Sequence, residues 1–509
     1  MPTRPDPVTL AKLRQSESVQ GVVVDRVDLD RPGELLAGGR EPAGPEVGAG
    51  QRLPDRSRVG LEVAGSLQHH HGRVGVGVRE QAASLLIGLV RALLIQCDSV
   101  PDLRPFRGLR YPGRPLADGC PDVSPLIAPP YDVIDEPTVF EARDSNNAVR
   151  LILPRDEPGR DRYAAAAARL AAWQSTGVLV GDPTPRLYRY SMTFTGPDVQ
   201  PGHTVGVIGA LVLPADEEEA GEAGGSVLPH ERTLPKAKSD RLALLQATRA
   251  NLDPIWVLSL TDGLTDLLRE EDDHLGCATD DGGVSHRIDA IDDPDHIAAI
   301  VAAVATTPVV IADGHHRYET ARAYLGERPD DPAAAAIMAL VVECAADELH
   351  VAPIHRVVHG APDLRRRLEA WFEIEPQGPN SPAGVDGLRT AMLERDALGL
   401  ADHDGLALLI PTAALDARLA EEPAELHDVD AARIDAAIGH AGLEVSYRSD
   451  DRTVAASVVG SPADAALLLR PVTVDQIRAV SGAGLRMPQK TSYFWPKPRT
   501  GMVFRSLDR

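Results

Sequence analysis

Apolar and polar positions along residues 101–358 follow two alternating rhythms. Leu187–Phe194, Thr204–Leu213, Pro254–Leu260, Pro308–Ala312 and Leu349–Val358 are alternating or continuously apolar runs of strand length. Val123–Asp132 reads as a short strand ended by Pro129-Pro130, and Val149–Leu153 as another. Arg162–Gln174, with Tyr163, Leu170 and Trp173, has helical spacing, as do Leu242–Ala250 and Pro294–Ala305. Ala333–Cys344 is Ala-rich and apolar, while 214–226 and 262–286 read as loops, the second with room for a short helix. Strand and helix signals alternating in this way predict an α/β (or α+β) core on a mixed sheet over 101–358. Residues 359–509 are expected to form a more helical C-terminal subdomain, with helices or strand–helix pairs in 363–372, 385–396, 431–441 and 462–469. Its last segment, 487–501, returns to a basic and aromatic texture like that of 104–111.

The richest chemistry lies where the apolar run Pro308–Ala312 stops. Asp313-Gly314-His315-His316-Arg317 follows, and then a helical pattern with Tyr318, Ala321 and Leu325 on one face. Gly314 permits a sharp turn. Unpaired amides and the dipole at a helix start favour an anion, and Arg317 adds a planar fork suited to phosphate. A plain strand–turn–helix, with these residues only capping and solvating the turn, is the alternative.

Composition narrows this picture. The chain has 509 residues, a formal net charge of −23 and 43% hydrophobic residues. Residues 1–100 are charge-balanced, so the whole excess lies beyond them. Such a charge speaks against general nucleic-acid or anionic-membrane binding, yet leaves room for a local basic pocket. Only 5 lysines stand beside 47 arginines. Four of them fall in two pairs, Lys236 with Lys238 and Lys490 with Lys497. Together with Arg104, Arg107, Arg110 and Arg317 these are expected to converge on one phosphate-bearing small molecule, with Lys236, Lys490 and Arg107 around Arg317. Pairing with surface carboxylates, at about 1 kcal/mol or less each, is the competing account. His230-Glu231 and Arg241 lie in a dense polar segment, where Glu231 is a candidate general base. His350 and His355 alternate with apolar residues and read as strand histidines.

Cys97, Cys120, Cys277 and Cys344 are widely spaced without a CxxC pair, which predicts reduced thiols, no zinc site and a cytoplasmic protein. Adjacent histidines point apart, so Mg²⁺ held by Asp313 and substrate phosphates is favoured over a His-rich zinc site. GxxxxGK[ST], GxGxxG after a first strand, and GxSxG are all missing. Residues 1–100 show weak periodicity and no motif. They read either as a poorly ordered extension or, the favoured reading, as translated non-coding sequence before the true start.

Six stretches carry a family resemblance over about Leu103–Phe504. They are Arg104-Pro-Phe-Arg-Gly-Leu-Arg-Tyr, Ile127-Ala-Pro-Pro-Tyr-Asp-Val, His230-Glu-Arg-Thr, Pro235-Lys with Asp240-Arg-Leu, Ala312-Asp-Gly-His-His-Arg-Tyr-Glu-Thr-Ala and Met487-Pro-Gln-Lys-Thr-Ser-Tyr-Phe. In their order they resemble the domain-of-unknown-function family 1015, whose name implies no activity. Asp313-Gly-His-His-Arg317 is also similar to the Gly-x-His-Arg loop of the ParB/sulfiredoxin-like superfamily, some of whose members are free-serine kinases. That local resemblance implies a phosphate cradle from Gly314, His316 and Arg317, with Asp313 assisting metal binding or proton transfer.

The combined expectation is a nucleotide-dependent phosphotransferase acting on a small, serine-like hydroxylated metabolite. Asp313, Glu231 and His316 are its candidate catalytic residues. Gly314, His315, Arg317, Lys236, Arg241, Arg107 and Lys490 would hold ATP or ADP (or CTP) with Mg²⁺. A ParB-like nucleotide switch without turnover, or a phosphatase using the same cradle, are the alternatives.

Overall fold

The computed structural model describes residues 100–117, 119–196, 201–214, 225–229, 238–269, 273–439, 443–459 and 464–508. The core is a mixed α/β arrangement on a large sheet. Its central strands are Leu187–Thr195, Pro201–Val212, Ala336–Glu343, Ile255–Ser259 and Val309–Asp313, in that spatial order. Ala336–Glu343 runs parallel to Ile255–Ser259, whereas Val309–Asp313 runs antiparallel to it and parallel to Val227–Pro229. Every residue of Ala336–Glu343 and Ile255–Ser259 is buried, as the continuous apolar runs require of strands covered on both faces.

In the C-terminal region 363–372, 385–396 and 431–441 contain helices, whereas 462–469 gives the strand Ala465–Leu468, part of a six-stranded antiparallel sheet. It is tied to the core through the expected strand Leu349–Val358, which is broken in two. His350–Pro353 pairs with Ser492–Trp495, while His355–His359 enters the six-stranded sheet. Pro353, with no N–H to give a ladder, ends the first strand and lets the chain change sheets.

Other expectations change for identifiable reasons. Val149–Leu153 forms a helical turn, Val149–Ile152, started by Asn147, whose side-chain oxygen accepts from Val149 N at 2.9 Å. Val123–Asp132 forms turns, because Pro125, Pro129 and Pro130 cannot donate, and keeps only an isolated bridge between Ala128 and Thr500. Residues 262–286, expected as a loop, hold the strand His274–Thr279 and the start of Ser285–Ile291 besides a short helix. Cys120 and Cys277, expected as thiols, form a disulfide across 157 residues. The parallel pairing of Cys277 with Asp122 brings them together, a neighbour relation invisible in local spacing. Among the described residues no helix is long and apolar enough to cross a membrane.

Gly108 shows how closely the N-terminal part of the core is packed. Its N–H donates to the buried Tyr188 hydroxyl at 2.6 Å, which in turn donates to Asp182 at 2.8 Å. A Cβ at Gly108 would lie 2.4 Å from that hydroxyl and 2.7 Å from Val503 Cγ2. Gly108→Ala should therefore cost about 1–3 kcal/mol by overpacking, read as a lower urea midpoint at unchanged m-value. An unchanged midpoint would contradict this packing.

Candidate functional site

Asp313 is the last residue of the strand Val309–Asp313, and the helix His315–Glu327 begins two residues later. Gly314 makes the turn at φ 91°, in the left-handed region. A Cβ there would sit 3.0 Å from the Arg317 guanidinium, so the turn is tight enough to fold Arg317 back over it. Arg317 Nη2 donates to Asp313 Oδ2 at 2.6 Å, and Nη1 donates to the Pro254 carbonyl oxygen. The other carboxylate oxygen, Oδ1, accepts from Lys497 Nζ. The three side chains are only 10–13% exposed. Burial pushes the Asp313 carboxyl up, but Lys497 and then Arg317 outweigh it and hold the group at about 2. Lys497 is the mirror case: burial lowers it, while Asp313 and then Asp132 more than restore the charged form.

Lys497 reaches this carboxylate because its segment is anchored on both sides. Before it, Tyr493 presents its ring 5.3 Å from Nζ. After it, Arg499 pairs with Asp280, which also takes His286 Nε2 at 3.1 Å and the backbone N–H groups of Gly282 and Val284. The Arg499 N–H donates to Tyr190 Oη at 3.0 Å, and that hydroxyl bonds His286 Nδ1 at 2.8 Å. Thr500 donates to the buried Asp253 carboxylate. Burial raises the Asp253 carboxyl, against the pull of Arg317.

Beyond Arg317 lies a cavity of about 60 Å³ shared by Tyr131, Arg241, Leu252, Asp253 and Thr320. The Arg241 guanidinium lies 4.3 Å from the Tyr131 ring centroid, and its Nη1 donates to the Ile152 carbonyl at 2.7 Å. The helix that starts at His315 has no side-chain N-cap and no acidic residue in its first turn. Its leading amides thus keep the character of an anion site. His316 Nδ1 is buried and has no hydrogen-bond partner among the described residues. Asp132, on the exposed turn after Tyr131, acts electrostatically on both Arg317 and Lys497. Its carboxylate is outside the ion pairs that tie Asp313 to Arg317 and Lys497.

Residues 103–429 match the family model described as protein of unknown function, DUF1015. The chain belongs to the DUF1015 family. The match takes in Asp132, Asp253, Asp313 and Arg317 of this DUF1015 site, and Lys497 lies beyond it. No curated protein matches. Among solved structures, a conserved hypothetical protein from Pyrococcus furiosus is 12% identical at a TM-score of 0.30, covering 56% of this chain and 93% of that one. A free serine kinase in complex with AMP is 13% identical at 0.31, covering 56% and 89%. SbnI with a C-terminal truncation, from Staphylococcus aureus, is 14% identical at 0.30, covering 54% and 82%. TM-scores of this size do not establish a shared fold, so the chemistry of the DUF1015 site rests on its own residues.

Of the expected site residues, the fold brings together Asp313, Gly314, His315, His316 and Arg317 on one turn, with Arg241 across the cavity from Arg317. Arg107 is exposed on the N-terminal segment, and no hydrogen bond or ion pair joins it to Asp313 or Arg317. Lys490 is exposed on a turn at φ 56°, while Lys497 of the same segment makes the contact with Asp313. His230, Glu231 and Lys236 lie outside the described residues. Both Asp313 oxygens are taken by cations, and the described residues contain no group of three His, Cys, Asp or Glu able to hold a metal. The donor set therefore does not fit Mg²⁺ on Asp313. Tyr131, Asp132 and Asp253 were not singled out as site residues, and Lys497 was expected only as one of the converging lysines, with Lys490 placed nearest Arg317. Their signal was present in the Pro129-Pro-Tyr-Asp132 stretch and in the clustering of scarce lysines.

The low Asp313 value makes stability depend on acid. Its folded value of about 2 lies below the ordinary 3.8, so its contribution is complete above about pH 4 and is lost as pH falls through about 2. Asp253, raised by burial, has the opposite sign and loses stability as pH rises through its folded value. Asp313→Asn leaves two buried cations against a neutral amide and should cost about 3–5 kcal/mol at neutral pH, with a flatter acid limb in chemical unfolding followed from pH 5 to pH 2. An acid limb as steep as the parent's would show that this carboxylate is not held low.

Proposed function

We propose that the protein is a nucleotide-dependent phosphotransferase acting on a hydroxylated metabolite. The observation that carries the reading is the pair of buried cations, Arg317 and Lys497, locked onto Asp313 beside an uncapped helix N-terminus. Phosphoryl transfer asks mainly for positioning and charge neutralisation, and such a turn supplies both. The donor phosphate lies against the amides of His315 and His316, with Arg317 and Lys497 on its oxygens and Arg241 on the outer side. Asp313, held near 2 with both oxygens engaged, is a poor proton acceptor and serves to aim the two cations.

Asp132 is better suited as the base, being a carboxylate beside both cations and outside their ion pairs with Asp313. In the transfer, the acceptor hydroxyl oxygen bonds to the terminal phosphorus. The bond from that phosphorus to the bridging oxygen breaks, and its electron pair leaves with the shortened nucleotide. The hydroxyl proton passes to the Asp132 carboxylate. No step is routed through a protein-held metal.

Calorimetry with ATP, ADP and CTP in the presence of Mg²⁺ tests the cradle. Arg317→Ala and Lys497→Met should each weaken binding by roughly tenfold or more, as expected for loss of a charged hydrogen bond. Absence of binding to the parent, or equal binding by both variants, sinks the reading. Asp132→Asn should retain nucleotide affinity and lower turnover by about 10²–10⁴. Mass spectrometry of the products identifies the reaction: a phosphorylated acceptor supports transfer, and inorganic phosphate alone means hydrolysis. Bound nucleotide with no product over hours means a switch.

A further inference from the structure

A cavity of about 560 Å³ lies between the strand pair His350–Pro353/Ser492–Trp495 and the six-stranded sheet. It exists because Pro353 sends one strand into two sheets, leaving a gap where they part. The cavity adjoins the phosphate site through a single side chain. Tyr493 lines it and also packs its ring against Lys497, the partner of Asp313.

The charged groups of the cavity wall are already engaged with one another or with backbone. Arg389 pairs with Asp451, Arg470 is bound to Asp430 and Asp428, and Asp450 caps the helix Asp451–Ala456 through Thr453 N at 2.6 Å. His355 is 3% exposed, and burial pulls it down to about 4, so it is neutral at physiological pH. Its Nδ1 accepts from Leu469 N at 3.0 Å, which puts the ring proton on Nε2 as a donor. What remains is an apolar wall including Val351, Leu468, Leu469 and Trp495, with the neutral His355 imidazole, the Tyr493 phenol, His350 and Ser449 as its polar groups. Cavities of roughly 300–1,000 Å³ with apolar walls and a few polar groups hold drug-sized ligands.

We propose that this cavity is the acceptor site, and that the acceptor is an uncharged hydroxylated compound with an aromatic or branched apolar body, larger than a serine-sized metabolite. The assignment rests on the phosphotransferase reading for the word acceptor, while the cavity's ligand class stands on the wall alone. The apolar body lies among Val351, Leu468 and Trp495, and the hydroxyl points past Tyr493 toward Lys497.

The test uses 2-naphthol, an aromatic hydroxyl compound whose fluorescence reports binding, on the full chain. Ala352 is the cross-strand partner of Tyr493, so a large side chain there enters the same space. Ala352→Trp should weaken 2-naphthol binding at least tenfold, with Ala352→Phe intermediate should the Trp variant fold poorly. Arg317→Ala should leave probe binding within a factor of two, and L-serine should not displace the probe. Equal probe binding by the parent and both Ala352 variants, or displacement by L-serine, overturns the inference. The two readings fail separately: nucleotide binding lost in Arg317→Ala with no effect of Ala352 substitution leaves the cradle standing and removes the acceptor cavity. A cavity that binds the probe in a protein without nucleotide affinity does the reverse.

Discussion

One carboxylate shared by two cations holds this molecule's chemistry together. Asp313 spends one oxygen on Arg317, four residues away, and the other on Lys497, which comes from 184 residues further along the chain. An isolated buried charge would be intolerable, and a buried pair repays its desolvation only when every partner is well placed. Placement here is supplied from outside the cluster. The Gly314 turn bends Arg317 back, and the Asp280–Arg499 pair with His286 and Tyr190 pins the segment that delivers Lys497. Thr500, on the same segment, meets Asp253 on the far side of Arg317. The C-terminal segment is thereby joined to strands from the middle of the chain around a single turn.

That arrangement separates two roles a carboxylate can take. Asp313 is ionised, saturated and fixed, whereas Asp132 shares its field without sharing its bonds. Asp253 is a third case, buried and pulled toward its neutral form. On the proposed reading, Asp313 holds the two cations and Asp132 takes the proton, a division of labour that acids in unlike environments allow. The chain's large negative charge is therefore a poor guide to this spot, where three cations and a helix start face three carboxylates of unlike character.

Much of the core was legible because its signals are local. The apolar run before Asp313, the Ala-rich helix Arg162–Ser175 and the alternation of Leu187–Thr195 need no distant partner to be read. The strand–turn–helix at Asp313–Arg317 was legible for the same reason, since Gly314 and the residues after it declare a turn. What local pattern could not carry was pairing. Lys490 and Lys497 sit in one basic segment, and only the anchoring of Arg499 and Thr500 decides that Lys497 reaches Asp313. The Cys120–Cys277 bond and the pairing of the split strands at Pro353 likewise follow from neighbours remote in sequence.

The separation between Asp313 and Lys497 has a consequence in time as well as in space. At about 5–20 residues per second of synthesis, a gap of 184 residues means that Asp313 and Arg317 leave the ribosome on the order of 10–40 seconds before Lys497. The strand and helix that carry them can form from local sequence in far less time. A nascent chain thus holds the Asp313–Arg317 turn with its carboxylate lacking one counterion through most of the making of the C-terminal subdomain. The charge balance of the turn waits for the returning segment, so a chain cut before Lys497 would bear a recognisable turn without its second cation.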